Sequence, residues 1–347
     1  MKCSALGSIL LGQSISLIPL AFSALALNVA AETQLSFPHT KQAADREAES
    51  QAGKGSKGDL KVAEAATDCS FASLEQDARQ RELIIRICRQ ELSSTPEYAP
   101  AWASLGMAYK NAAQYEMAIE AYQEAVALKP DFFEAWGNLG SVYDVTKRYD
   151  KAIQCFQEAI RIKPEFAGAW FGLGLAFDDS GKYEEAIKSY QEGIRLDPHF
   201  YRAWNNLGTS YNHLKRFEDA AKAYREAIRL KPDYYRAWDG LIATYDHLGR
   251  KEEKIKTCQE LTRVAPREAN AWYSLGVAFE ENKQLEEAIK AYEEMTRLAP
   301  KDAEGWFKLG VVYSAQGDQK KVKEAQKRLT KLDPAKAEEL SQKISAP

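Results

Sequence analysis

Trp102-Ala103-Ser104-Leu105-Gly106-Met107-Ala108-Tyr109 decides how the rest of the chain is read. Trp102, Leu105 and Tyr109 stand at i, i+3 and i+7, the spacing of one face of an α-helix. Gly106 sits where a second helix must approach closely. Ala118 and Ala125 are the small residues expected on that second helix, Tyr122 is a ring between them, and Pro130 follows because proline cannot continue a helix. The same pieces return as Trp136, Leu139, Gly140, Ala152, Phe156, Ala159 and Pro164, and again as Trp204, Leu207, Gly208, Ala220, Tyr224, Ala227 and Pro232. All seven tryptophans (Trp102, Trp136, Trp170, Trp204, Trp238, Trp272 and Trp306) stand 34 residues apart. A period of that length marks one supersecondary unit copied and stacked.

The pattern resembles the tetratricopeptide repeat, a pair of antiparallel helices. The resemblance covers residues 99–334 as seven repeats. Residues 71–98 form a degenerate half-repeat before them, since Pro96 lies 34 residues ahead of Pro130. It implies an all-α, right-handed superhelical solenoid of helix–turn–helix repeats whose inner face is lined mainly by the first helix of each pair. Residues 335–347 read as a polar capping helix and tail, as the end of such an array needs. The stripe of Trp and Tyr is expected to be core, because buried aromatics dominate such packing.

One unit departs from the pattern. Residues 235–268 carry Ile242 for the glycine, Lys254 for the first alanine, Cys258 for the ring and Leu261 for the second alanine. Larger residues at close-contact positions predict a locally wider helix pair, and with it a change of curvature or a weaker joint.

The net charge of −3, with a 28% charged fraction of mixed sign, provides no clustered basic face for nucleic acid. Four histidines occur, and His213 and His247 are one repeat apart, a spacing that repetition alone explains. No nucleophile elbow or glycine-rich phosphate loop is present. The reading is therefore non-catalytic, with no metal and no cofactor.

The start of the chain carries a different message. Residues 1–31 have a lysine, an apolar stretch over 15–27 and small residues up to Ala31, the make-up of a signal peptide. Residues 32–70 are poor in large apolar side chains and read as a disordered linker. The expectation is an exported protein of bacterial type, in the periplasm or cell envelope or secreted. Retention of the leader would make it an N-terminal membrane anchor; after cleavage no membrane span is expected. Cys69 and Cys88 flank the N-terminal cap and stand open between a disulfide and two separate thiols.

Carried over by position, the inner-face candidates are Asn138, Asp144, Asp178, Asp179, Arg202, Asn205, Asn206, Thr209, Asn212, Arg236, Asp239, Asp246, Glu280 and Glu281. Amides and hydroxyls among them suit the backbone of an extended peptide. The acids recur near the ends of successive first helices and favour a basic partner segment by complementary potential. The resemblance implies a scaffold that binds a protein or peptide in its concave groove. An envelope assembly or chaperone-like factor, or a complex subunit using the convex face, is the alternative.

Overall fold

A computed structural model describes residues 78–345. The leader over 1–31, the linker over 32–70, Cys69 and the first part of the 71–98 cap lie outside the described residues. Sixteen helices and no strand occur among the described residues. The cap helix is α1 (Ala78–Ser94). Seven pairs follow: α2 (Ala99–Asn111) with α3 (Tyr115–Leu128), α4 (Phe133–Val145) with α5 (Tyr149–Ile162), α6 (Ala167–Asp179) with α7 (Tyr183–Leu196), and α8 (Tyr201–His213) with α9 (Phe217–Leu230). The series continues with α10 (Tyr235–Leu248) and α11 (Lys251–Val264), α12 (Ala269–Glu281) and α13 (Leu285–Leu298), α14 (Ala303–Gln316) and α15 (Gln319–Leu332), and closes with α16 (Pro334–Ser345). No described helix is long and apolar enough to cross a membrane.

Each helix packs on the next in sequence, so the array is a solenoid of nearest-neighbour contacts. Successive first helices from α2 to α10 also approach one another, whereas second helices do not come as close. The first helices therefore form the inner track of a curved array and the second helices its outer side.

The turn inside each repeat has one left-handed residue: Ala113, Lys147, Gly181, Lys215, Gly249, Lys283 and Gly317, all with φ between 56° and 84°. A Cβ at Gly181 would meet nothing within 4 Å, so only the backbone resists a side chain there. Gly181→Ala is expected to lower stability by about 1 kcal/mol, the cost of an L-residue in this conformation. Chemical denaturation of the variant beside the wild type measures it.

Packing corrects one expectation. Of the tryptophans only Trp238 is buried; the other six are partly exposed. Each indole N–H donates to the carbonyl of the proline six residues upstream, from Trp102 to Pro96 (2.8 Å) through Trp306 to Pro300 (3.1 Å). The indole is thus a clasp between one repeat's start and the previous helix's end. Its polar edge has to reach that carbonyl near the surface. The innermost core is shared between the helices of each pair: Tyr122, Phe156, Tyr190 and Tyr292 with Ala118, Ala152, Ala186 and Ala288 come from second helices, and Tyr245, Val142 and Leu309 from first helices. The second-helix rings lie against glycines of the first helices: a Cβ on Gly172 would stand 2.3 Å from Phe156, and one on Gly276 2.4 Å from Tyr292.

At the ends, α1 docks through Ile84, Ile85, Cys88 and Leu92. Leu83 and Ile87, apolar residues of the same helix, are exposed. At the other end α16 buries Leu340 against Gly310, the place a second-helix ring takes elsewhere.

The departing unit is wider, as its residues predict: α10 and α11 pack less closely than the other pairs. Ile242 and Cys258 share one buried cluster, so bulk has moved from the second helix to the first. Lys254, in place of alanine, is buried. An open cleft of about 340 Å³ lies at this joint, lined by Tyr245, Asp246, Gly249, Lys251 and Glu281.

Candidate functional site

The inner track is a set of registers, each repeating at the 34-residue period. The register beside the last residue of the first helices holds Lys110, Asp144, Asp178, Asn212, Asp246 and Glu280. On the next first helix, the facing register holds Val142, Ala176, Ser210, Thr244, Ala278 and Val312. Where that register offers a hydroxyl, the two repeats are linked. Ser210 Oγ donates to Asp178 Oδ1, and Asn212 Nδ2 donates to Thr244 Oγ1 at 2.9 Å. Lys110 reaches Ser141 Oγ, one position off, at 2.7 Å.

Tyrosines of the second helices pass between the first helices and end at this track. Tyr224 Oη meets Thr209 Oγ1 at 3.0 Å and accepts from Asn212 Nδ2 at 3.4 Å. Tyr292 Oη donates to Glu280 at 2.6 Å. Tyr122 and Tyr190 hold the same register, but Met107 and Leu175 stand where Thr209 stands in their neighbour. Both hydroxyls are buried without a hydrogen-bond partner, as are Asp144 Oδ1 and Asn205 Oδ1.

The fourteen sequence candidates fall into three sets. Asp246, Glu280 and Glu281 are held internally. Lys254 Nζ lies 2.6 Å from both Asp246 Oδ1 and Glu281 Oε2, and Lys308 Nζ lies 3.3 Å from Glu280 Oε2. Burial opposes charge on Lys254, but the hydrogen bonds and charges of the two carboxylates outweigh it and raise its pKa. These three acids are therefore not an open stripe, contrary to the simple reading of the sequence.

The second set lies at the far edge of the track. Arg202 packs against Tyr201, with Nε 3.2 Å from its hydroxyl, and Arg202 and Arg236 both act on Tyr234. Ten residues of helix separate Arg202 from Asn212, about 15 Å at 1.5 Å per residue. The two arginines are thus not brought to the acids. Asp239 is exposed on the surface between, although the surrounding walls still desolvate its carboxyl enough to raise its pKa.

The third set is brought together. Asn205 Nδ2 donates to Asn206 Oδ1 at 3.0 Å, Asn138 and Asn205 are buried, and Thr209 and Asn212 share Tyr224. Beside them, burial raises the Asp144 pKa to about 7, with Asp179 adding to the rise and Lys110 opposing it. Burial likewise raises Asp178, against the Ser210 bond, and Asp179, against Lys147. Lys110 is pushed down to about 8 by burial. Among the described residues no cluster of ligating side chains suits a metal ion.

Reading from sequence missed Lys110, Tyr190, Ser210 and Thr244, and took Tyr122 and Lys254 only as packing positions. Hydroxyls at a register otherwise filled by Ala and Val were the available signal for Ser210 and Thr244. Cys88 is buried on α1, and the question of its pairing with Cys69 falls outside the described residues.

A family model described as the C-terminal domain of cilia and flagella-associated protein 70 matches residues 62–270. Two tetratricopeptide-repeat models match 248–303 and 303–336. No curated protein matches the chain. Among solved structures it is similar to MamA, with 26% identity over 46% of this chain and 97% of that one and a TM-score of 0.42. It is also similar to YrrB, described as a TPR protein with an unusual peptide-binding site, with 18% identity over 55% and 99% of the two chains and a TM-score of 0.45. The Cut9–Hcn1 hetero-tetramer of the APC/C is similar at 16% identity over 83% of this chain and 52% of that one, with a TM-score of 0.49.

Proposed function

This chain belongs to the tetratricopeptide-repeat family, whose members bind peptides or proteins, and from that premise we propose that it holds an extended partner segment along its inner track. The protein is an interaction scaffold; the groove as its working surface, and the absence of catalysis, are the proposal. The observation that supports it is the set of four buried polar atoms without partners, on Tyr122, Asp144, Tyr190 and Asn205. An unmade bond at such an atom costs about 1–3 kcal/mol, a cost that a polar peptide laid along the track removes. The remaining amides and hydroxyls, Asn138, Asn206 and Thr209, suit the peptide backbone.

The make-up of residues 1–31 supports a position outside the cytoplasm, in the periplasm or cell envelope or secreted, or held at the membrane if the leader is retained, with residues 32–70 read as a tether that gives it reach. Assembly of envelope components is a role that suits such an arrangement.

Site-specific photocross-linking tests the reading. A photoreactive side chain at Asn206 or Asp239 on the inner track, and at Glu120 or Lys188 on the outer helices, is irradiated in cells. Cross-linked peptides are then mapped by mass spectrometry. The same partner segment is expected from both inner positions and from neither outer one. Cross-links confined to Glu120 and Lys188 would instead establish the convex face as the working surface.

A further inference from the structure

Three carboxylates stand in one place on the inner track with less internal neutralisation than their counterparts further along. Asp246, Glu280 and Glu281 have Lys254, Lys308 or a tyrosine hydroxyl upon them. Asp144 faces Ala176, which has no hydroxyl to give, and its Oδ1 has no partner. Asp178 has one oxygen on Ser210. Asp179 follows at the end of the same helix, exposed at the mouth. Tyr190 supplies an independent observation. It is fully buried, its hydroxyl closes no full hydrogen bond although the Asn206 amide lies near enough to interact with it, and it lies close enough to all three carboxylates to feel their charge. Its counterpart Tyr292 donates to the acid twelve residues before it; Asp178, the equivalent acid for Tyr190, is already turned to Ser210.

We propose that Asp144, Asp178, Asp179 and the Tyr190 hydroxyl form a recessed subsite between α4 and α6 that takes one basic side chain, arginine in preference to lysine, from the segment bound along the track. This deepens the groove reading and rests on it. A guanidinium presents five donors in a planar fork, and so satisfies two carboxylates and the phenol oxygen at once, where an ammonium meets them as a point charge. Removing the Asp144 and Tyr190 deficits together gives the site its discrimination, because each deficit persists when a neutral side chain occupies the track.

The groups facing Asp144 fix the pH response. They are Lys110 from α2, Tyr149 from α5, Asp179 from α6 and Tyr190 from α7; Asp178 acts through Asp179 and Tyr190, and Lys147 and His213 act in turn on Asp179 and Asp178. With its pKa at about 7, Asp144 is largely protonated at pH 6 and ionised at pH 8, and Lys110, at about 8, loses charge over the upper part of that interval. Both changes favour an incoming cation as pH rises.

The test uses the full chain and a fluorescein-labelled Ser/Gly decapeptide with two central arginines, its citrulline counterpart and its lysine counterpart, read by fluorescence anisotropy. Citrulline keeps the shape and removes the charge. The arginine peptide is expected to bind at least tenfold tighter than the citrulline peptide and several-fold tighter than the lysine peptide. The advantage over citrulline is expected to grow several-fold from pH 6 to pH 8. Asp144→Asn, an isosteric change whose fold is checked by thermal melting, is expected to reduce the advantage below threefold and remove most of its growth with pH, leaving only the part that Lys110 contributes. Glu120→Gln on the outer side leaves both unchanged. A charge preference that survives Asp144→Asn overturns the subsite, as does a pH response that survives it and follows His213→Gln instead. Equal binding of the arginine and citrulline peptides also overturns the subsite but leaves the groove intact. Binding of no peptide, together with outer-face cross-links, overturns the groove itself.

Discussion

Cys258→Tyr is expected to destabilise the α10–α11 unit by about 3 kcal/mol, and Ile242→Gly, itself destabilising alone, is expected to restore most of that loss. In the repeats with Tyr122, Phe156, Tyr190, Tyr224 and Tyr292, the ring lies against a glycine sixteen residues earlier. Only here is the ring a cysteine and the glycine an isoleucine, and both are buried in the same cluster. Adding a phenol to a closed site forces neighbours off their rotamers, and the Ile242 side chain is the bulk in its way. Ile242→Gly alone removes a buried side chain and adds helix-interior glycine, a loss of about 3–5 kcal/mol. Together the two changes recreate the packing of the neighbouring repeats, with the new hydroxyl placed beside Asp246 as Tyr292 is beside Glu280. The double variant should therefore lie within about 1–2 kcal/mol of wild type, a coupling of several kcal/mol. Because a solenoid need not unfold in one step, the readout is hydrogen exchange over residues 235–264 beside global denaturation. Additive losses in the double variant would refute the exchange of volume.

Positions 242 and 258 belong to the part of the fold that is legible in the sequence. The period, the helix pairs and the widened unit follow from where small and large residues recur, because close helix packing admits few exceptions. The face docked by α1 was only half legible: Ile84 and Ile87 both fit an apolar stripe, and only the partner helix selects one of them. The tryptophans misled for a similar reason. Their spacing marks a constrained position, but the constraint is an N–H reaching a proline carbonyl near the surface. The constant Pro–Trp separation of six was its visible trace. In the groove, the sequence locates the acids on one edge of the track. Which of them remain unengaged depends on partners from other registers, such as Lys254 from a second helix and Lys308 from the following repeat. Those encounters are set by side-chain reach across repeats, which a linear pattern does not encode.

Lys254 gives the second large effect. Its side chain is 5% exposed, whereas those of Asp246 and Glu281 are 48% and 47% exposed, so the cation is enclosed and the carboxylates keep part of their hydration. Lys254→Ala removes the charge that joins α10 to α12 and the stem that fills the widened pair. It is expected to cost about 2–3 kcal/mol, below the 3–5 kcal/mol of a fully buried pair because solvent screens the acids left behind. Lys254→Met keeps the stem and removes only the charge, and is expected to cost about 1–2 kcal/mol. The pH dependence carries the sign of a lysine whose folded pKa is raised. Its contribution is complete below the ordinary value of 10.5 and is lost only as pH climbs through the higher folded value. The Met–wild-type difference should therefore hold constant between pH 7 and 9 and shrink above pH 11. Urea denaturation at those pH values measures it, and a difference that vanishes already at pH 9 would show that the ion triad does not hold this joint. A Met variant as unstable as the Ala variant would assign the whole effect to charge, and one as stable as wild type would assign it to packing.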